Sequence, residues 1–190
     1  MIAFFWFSLF LIFYAFAGYG LILFVLVKLR QIFRGKRSIP SAEENELPTC
    51  TLIVAAYNEE AYIEEKIKNT LALNYPKDKI QFLFITDGST DKTPKIVGQY
   101  PEIKLMHSAA RLGKIAAVQR AVAAVTTEAM VFTDANTFLN TDALINLCRH
   151  YADPKVGAVA GEKRVHIDAT SDATAGEGFY WKYESKLKVW

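Results

Sequence analysis

The chain has 190 residues, a formal net charge of +2 and an apolar fraction of 52%. This length accommodates one domain and an appendage. The small net charge, and the lack of a long basic stripe among aromatic residues in the body of the chain, argue against a nucleic-acid-binding protein. Cys50 and Cys148 fit no metal-ligand spacing. They are therefore predicted to be reduced thiols, with a disulfide between them as the alternative.

The segment from Met1 to Val27 contains no charged side chain. A helix of this length would measure ~40 Å, enough to cross a hydrocarbon core of ~30 Å with some tilt. One alternative is a cleaved signal peptide, because Ala15-Phe16-Ala17 resembles a cleavage site, but no positive region precedes the apolar run. The other is a buried core helix, which rarely runs so long without a polar face. We therefore predict a transmembrane helix over residues 1–27.

Basic residues crowd directly after this apolar segment, and none precedes it. They are Lys28, Arg30, Arg34, Lys36 and Arg37. The positive-inside rule predicts a single-pass anchor in the cell membrane, with the rest of the chain in the cytoplasm. Residues 28–49 are predicted to be a basic juxtamembrane segment and linker, because their second half has few apolar side chains to bury. The globular domain is predicted over residues 50–190.

Short apolar runs alternate with amphipathic segments from residue 50 onward. The predicted strands cover 51–56, 80–86, 103–107, 129–133 and 156–165, and the predicted helices cover 59–73, 91–100, 112–125, 141–151 and the tail from 174. This alternation predicts an α/β fold with a mostly parallel sheet and helices on both faces.

Three polar clusters directly follow predicted strands. They are Ala55-Ala56-Tyr57-Asn58-Glu59-Glu60, Thr86-Asp87-Gly88-Ser89-Thr90-Asp91 and Thr133-Asp134-Ala135-Asn136-Thr137. In sheets of this kind ligands bind outside the carboxyl ends of the strands. The three clusters are therefore predicted to converge on one site.

The third cluster suggests a metal ion. Asp134 and Asn136 offer hard oxygen ligands, which Mg²⁺ and Mn²⁺ prefer when substrate phosphates complete the coordination. A turn without a ligand is the alternative for this pair. The second cluster also has an alternative, in which Ser89 or Thr90 caps the N-terminus of the following helix.

A pair of cations opens the third predicted helix. Arg111 and Lys114 lie at an end where the helix dipole favours negative charge, so they are unfavourable there unless an anion binds. Gly113 permits close approach of the backbone to such an anion. This segment is interpreted as a diphosphate site, with a solvated loop as the alternative.

The motifs Ala-Tyr-Asn-Glu, Asp-Gly-Ser-Thr-Asp, Arg-x-Gly-Lys and Asp-Ala-Asn, in this order, resemble those of family 2 glycosyltransferases with the GT-A fold. The resemblance spans about residues 50–165. It implies that Ala55, Tyr57 and Glu59 line the nucleotide pocket. It also implies that Asp87 accepts a hydrogen bond from the base, usually uracil.

The resemblance further implies that Lys114 lies near the diphosphate and that Asp134 binds both metal and diphosphate. Asn136 occupies the position where many relatives have a second Asp. A neutral ligand there offsets less of the positive charge of the metal ion. The implied reaction is an inverting, metal-assisted transfer of a sugar from a nucleotide diphosphate, usually UDP, to a polysaccharide, lipid or other glycan. The metal and the cations would stabilise the departing diphosphate.

The catalytic base of the family lies in an acidic motif well after the Asp-x-Asp region, and we find no such motif here. The base is therefore predicted to lie beyond Trp190, with the chain truncated before the acceptor half and inactive alone. Glu162 is the only candidate carboxylate at a late predicted strand end, but solvation of the strand end is its ordinary explanation and we do not assign it as the base. Two alternatives remain: a non-catalytic nucleotide-sugar-binding module, and a nucleotidyltransferase, which would require a Gly-rich basic loop in place of Tyr57-Asn58-Glu59.

Overall fold

The computed structural model describes residues 1–34 and 46–162. Much of the predicted linker (35–45), the end of the fifth predicted strand (163–165) and the predicted tail helix lie outside the described residues. The chain divides into two compact units, with the N-terminal helix in one and the sheet in the other.

The N-terminal unit contains one long apolar helix. It consists of α1 (Ile2–Phe13), a π-helical turn (Tyr14–Gly18) and α2 (Tyr19–Arg34). The stretch Ile2–Phe33 is long and apolar enough to cross a membrane, and only 6% of its most apolar part is buried. The helix continues beyond Val27 to Arg34, because the lysine, leucine, two arginines and glutamine of this flank are good helix formers.

The second unit is built on four strands. The strands are β1 (Cys50–Ala56), β2 (Ile80–Asp87), β3 (Ile103–Ser108) and β4 (Ala129–Asp134). The helices are α3 (Ile63–Leu71), α4 (Thr93–Val97), α5 (Lys114–Ala123) and α6 (Ala143–Cys148), followed by a 3-10 turn (Arg149–Ala152). All strand pairs are parallel, in the order β3-β2-β1-β4. The predicted α/β fold with a parallel sheet is confirmed.

The sheet is covered on both faces. Leu52 and Val54 of β1 lie in a core cluster with residues of α3, α4 and α6. Ile53, between them, lies in a second cluster with Ala117 and Ala121 of α5. Because both faces of β1 are buried, its sequence is a continuous apolar run rather than an alternating one.

The fifth predicted strand is the main error in the predicted elements. Its described part, residues 156–162, has no regular structure. A strand requires a neighbour to complete its hydrogen bonds, and within the described sheet no fifth strand pairs with β4 or β3. Leu47, which the prediction assigned to the linker, is 3% exposed and belongs to the core cluster.

The two cysteines are free and buried, in agreement with the prediction of two thiols. Cys50 of β1 and Cys148 of α6 lie in the same core cluster. A hydrogen bond with Cys148, together with burial, raises the pKa of the Cys50 thiol.

Candidate functional site

A cavity of about 370 Å³ lies where β1, β2 and β4 end and α5 begins. In the strand order β3-β2-β1-β4, β2 and β3 lie on one side of β1 and β4 lies on the other. The order of the strands therefore reverses between β1 and β4, and α/β sheets bind ligands at such a point. All seven residues that sequence analysis assigned to donor or metal line this cavity. They are Ala55, Tyr57, Glu59, Asp87, Lys114, Asp134 and Asn136. The predicted convergence of the three polar clusters is therefore observed, and the ligand contacts of these residues stay predictions.

The loops after β1 and β2 are joined through Asn58, which has a left-handed backbone with φ 53°. Asn is among the residues that tolerate this conformation best. Asn58 Oδ1 accepts a hydrogen bond from the N–H of Thr90 at 2.9 Å, and the Asn58 N–H donates to Ser89 Oγ at 3.3 Å. Ser89 and Thr90 thus connect two loops instead of capping the next helix. Asp91 Oδ1 accepts the hydrogen bond from the N–H of Thr93 at 3.0 Å.

Asp87, at the end of β2, organises the loop before α5. Its Oδ2 accepts hydrogen bonds from the N–H groups of Leu112 and Gly113, both at 2.7 Å. Its Oδ1 accepts one from Arg120 Nη2 at 3.1 Å, and the side chain is 7% exposed. A carboxylate can accept about four hydrogen bonds. Asp87 accepts three hydrogen bonds from the protein, so it can accept about one more from a ligand.

The backbone approaches closely at Gly88, which has φ 69°. A Cβ atom there would lie 2.5 Å from Arg111 Cβ and 2.9 Å from Arg111 Cα, so only glycine fits. This approach brings Arg111 to the cavity, where its guanidinium lies 4.0 Å from the centroid of the Tyr57 ring. The stacking of Arg111 on Tyr57 was not predicted, because nothing in the spacing of the two motifs relates the two side chains.

Lys114 and Asp134 form an ion pair at the mouth of the cavity, with 2.7 Å between Nζ and Oδ1. Their side chains are 67% and 48% exposed, so the pair contributes little to stability and stays accessible to a ligand. Asp134 is placed by the β1–β4 register, in which it lies opposite Ala55. The cation that opens α5 and the carboxylate that ends β4 thus share one cleft.

The oxygen donors of the site suit a shared metal ion. In the described ranges no group of three or more His, Cys, Asp or Glu side chains forms a ready metal site. Asp134 and Asn136 both line the cavity, and one Asp134 oxygen is engaged by Lys114. These donors fit Mg²⁺ or Mn²⁺ that takes its other ligands from substrate phosphates, and they do not fit a metal bound by protein alone.

Sequence analysis missed two cations near the site, Arg120 and Lys66. Lys66 of α3 is 0% exposed, and its Nζ donates hydrogen bonds to Thr133 Oγ1 at 3.2 Å and to the carbonyl oxygen of Thr137. Burial lowers the pKa of Lys66 to about 8, and the negative charge of Asp134 opposes this shift. One signal was available, because Lys66 lies on the buried stripe of α3, three residues after Ile63.

Comparison with known proteins identifies the fold class. A mannosyltransferase from Pyrobaculum calidifontis, solved in complex with GDP-Man and Mn²⁺, superposes with a TM-score of 0.62 at 31% identity. The superposition covers 75% of this chain and 44% of that one. The parallel sheet and its flanking helices are those of a GT-A glycosyltransferase. The model of the family described as Glycosyl transferase family 2 matches residues 51–189, and the chain belongs to this family.

Curated relatives agree with this assignment. A beta-monoglucosyldiacylglycerol synthase from Nostoc sp. is 30% identical over 168 residues, which cover 84% of this chain and 34% of the relative. A poly-beta-1,6-N-acetyl-D-glucosamine synthase from Staphylococcus aureus is 30% identical over 140 residues, which cover 72% of this chain and 34% of the relative. The chain therefore spans about a third of the length of these relatives.

Proposed function

We propose that this domain is the donor-binding part of an inverting glycosyltransferase that uses a nucleotide-diphosphate sugar, with a UDP-sugar as the expected donor. The acceptor is a polysaccharide, a lipid or another glycan. The observation that carries the proposal is the meeting of Lys114 and Asp134, 2.7 Å apart, at the cavity where β4 ends and α5 begins. A diphosphate there would meet a cation, a carboxylate suited to metal binding and the start of a helix.

The nucleoside is assigned to the side of the cavity formed by the β1 and β2 loops. Tyr57 offers an aromatic face, and Arg111 already stacks on it. Asp87 has room for one further hydrogen bond, as a base N–H would supply. Ala55 and Glu59 complete this wall of the cavity.

The diphosphate is assigned to the opposite wall. The Lys114 ammonium would approach the phosphate oxygens, and Asp134 with Asn136 would hold a Mg²⁺ or Mn²⁺ ion against them. When bound, this ion would offset the negative charge that develops on the departing diphosphate. The mannosyltransferase solved with GDP-Man and Mn²⁺ supports divalent-metal use in this fold.

No catalytic role is assigned to Asp87 or Asp134, two of the carboxylates that line the cavity. Asp87 is held by three internal donors, and Asp134 is paired with Lys114. Both carboxylates are thus engaged by donors within the protein. The same observation favours a second candidate, a non-catalytic nucleotide-sugar-binding module, and an assay of sugar transfer separates it from the enzyme.

The N-terminal helix is proposed to anchor the domain to the cell membrane. Its apolar stretch Ile2–Phe33 has the length and composition of a membrane span. By the positive-inside rule, the basic residues that follow support a cytoplasmic location of the sheet domain. A cytoplasmic domain would have direct access to soluble nucleotide sugars.

Calorimetric titration of the full chain in detergent micelles tests donor binding. UDP, GDP and their sugars are titrated separately with Mn²⁺, with Mg²⁺ and with a chelator. We expect saturable binding of UDP ligands that weakens when the metal is removed. A folded sample, verified by circular dichroism, that binds none of these ligands would overturn the proposal. Stronger binding of GDP than of UDP would correct the base assignment alone.

A further inference from the structure

Among the residues that the structure describes, Lys66 is the only charged residue with an exposure of 0%. Its ammonium contacts two neutral oxygens, Thr133 Oγ1 at 3.2 Å and the carbonyl oxygen of Thr137. Burying a charge in this way is costly, and an apolar side chain on the same face of α3 would avoid that cost. The position of the ammonium therefore requires an explanation beyond core packing.

The two acceptor oxygens bracket the segment that carries the candidate metal ligands. Thr133 directly precedes Asp134, and Thr137 directly follows Asn136. A hydrogen bond from the N–H of Thr137 to the carbonyl oxygen of Asp134 at 3.2 Å closes the turn between them. Ala135, in the middle, is 1% exposed. The Lys66 ammonium thus donates hydrogen bonds to both ends of this short turn from the buried side.

We propose that Lys66 is a positioning residue that holds the turn between Thr133 and Thr137 in the geometry required by a metal–diphosphate complex. This inference rests on the proposed function and deepens it. Two effects act in the same direction. A turn that is already fixed loses less conformational entropy when the ligand binds. In addition, a nucleoside diphosphate with one divalent ion still carries net negative charge, which a buried cation beneath the turn attracts.

A purely structural lysine would behave differently. Its loss would lower the stability of the whole domain and leave ligand affinity unchanged in the folded fraction. A positioning role predicts instead a selective loss at the diphosphate wall. The nucleoside wall, with Tyr57 and Arg111, has no residue in the turn that Lys66 contacts and provides an internal reference.

The experiment compares Lys66→Met with Lys68→Met in the full chain in detergent micelles. Lys68 lies on the same helix, but its side chain is 68% exposed and pairs with Glu64. Binding of UDP with Mn²⁺ is measured by calorimetry, and binding of uridine by saturation-transfer NMR. For Lys66→Met we expect the dissociation constant for UDP with Mn²⁺ to rise about 10–100-fold, the usual effect of removing a partner of a metal ligand. Uridine binding should be unchanged, and Lys68→Met should change neither constant.

A second pair of variants covers the case in which Lys66→Met does not fold. Thr133→Val removes one acceptor of the ammonium, whereas Thr133→Ser retains the hydroxyl. We expect Thr133→Val to weaken UDP binding with Mn²⁺ by several-fold and Thr133→Ser to behave as the wild type. The inference is overturned if the folded variants bind UDP with Mn²⁺ within twofold of the wild type, or if uridine binding falls equally. A wild-type chain that binds neither ligand would instead reject the proposed function itself.

Discussion

Asp87 Oδ2 accepts a hydrogen bond from the backbone N–H of Gly113 across 2.7 Å, so the end of β2 holds the start of α5. Gly113 has φ 95°, a conformation that glycine adopts without strain. Because Lys114 is the next residue, the placement of the exposed cation depends on a buried carboxylate that it does not touch. The stability of this loop and its affinity for ligands are therefore coupled through Asp87.

The first prediction concerns Asp87→Asn. The amide retains the shape of the side chain but removes the charge that three donors share, and Arg120 loses its ionic partner. Hydrogen bonds to charged groups contribute about 1.5–3 kcal/mol each in net terms, so we expect the free energy of unfolding to fall by about 2–4 kcal/mol. Urea denaturation measures this change. Asp78→Asn, at an exposed position, serves as the control and should shift the midpoint little.

The second prediction concerns Lys114→Ala. Its ion pair with Asp134 is solvent-exposed, so the free energy of unfolding should change by less than about 1 kcal/mol. Loss of a charged donor to the diphosphate should weaken UDP binding roughly 10–100-fold, as about 1.5–3 kcal/mol per charged hydrogen bond implies. Calorimetry measures the affinity. Lys95→Ala, exposed on α4, is the matched control. Unchanged UDP affinity in Lys114→Ala would remove this residue from the diphosphate site.

The third prediction is a gain of metal affinity in Asn136→Asp. The substitution adds a charged oxygen ligand beside Asp134, and affinity for hard cations rises with the number of charged ligands. Two unit charges about 4 Å apart already attract by about 1 kcal/mol in water, so a divalent ion should bind roughly tenfold more tightly. Electron paramagnetic resonance of free Mn²⁺, in the presence of UDP, measures the change. Asn140→Asp, exposed and away from the cavity lining, should leave the Mn²⁺ affinity unaltered.

The fourth prediction concerns pH. Burial lowers the pKa of Lys66 from its ordinary value of 10.5 to about 8 in the folded chain. Below pH 8 both states hold the proton, and the full cost of burying the charge is present. As pH rises from 8 towards 10.5, the folded state releases the proton first and this cost is relieved.

Relative to Lys66→Met, the free energy of unfolding of the wild type should therefore rise by up to about 3 kcal/mol over this range. Urea titrations of both proteins at pH 7, 8.5 and 10 measure it, and subtraction cancels the contributions of other titrating groups. If the free energies of unfolding of the two proteins change in parallel with pH, the pKa of Lys66 is not lowered on folding and the prediction is wrong.

The fifth prediction concerns membrane topology. The positive-inside rule predicts that residues 35–190, which follow the apolar helix, lie in the cytoplasm. A green fluorescent protein fused after Trp190 should fluoresce, and alkaline phosphatase fused at the same place should be inactive. Moving the basic charges of residues 28–37 to the front of the helix should reverse both results. The opposite pattern in the unaltered chain would overturn the proposed orientation.

Much of the fold could be predicted from local patterns. The apolar runs of β1 and β2 identified central strands, because a parallel strand buries both faces. The stripe of Ile63 and Ile67 identified α3, because a helix that packs on a sheet buries only one of its faces. The error over residues 156–162 shows the limit, since an apolar run becomes a strand only where a neighbouring strand can accept its hydrogen bonds.

The sequence by itself determined which polar side chains follow the strands, and the geometry of a parallel sheet then brought them to one edge. Only the tertiary structure decided which of them touch. Three sets of contacts join residues that are far apart in the chain. They are the stacking of Arg111 on Tyr57, the hydrogen bond of Arg120 to Asp87 and the hydrogen bonds of Lys66 to the turn after β4. Periodicity reports burial within one element, whereas such contacts depend on how separate elements pack, and no local pattern records that.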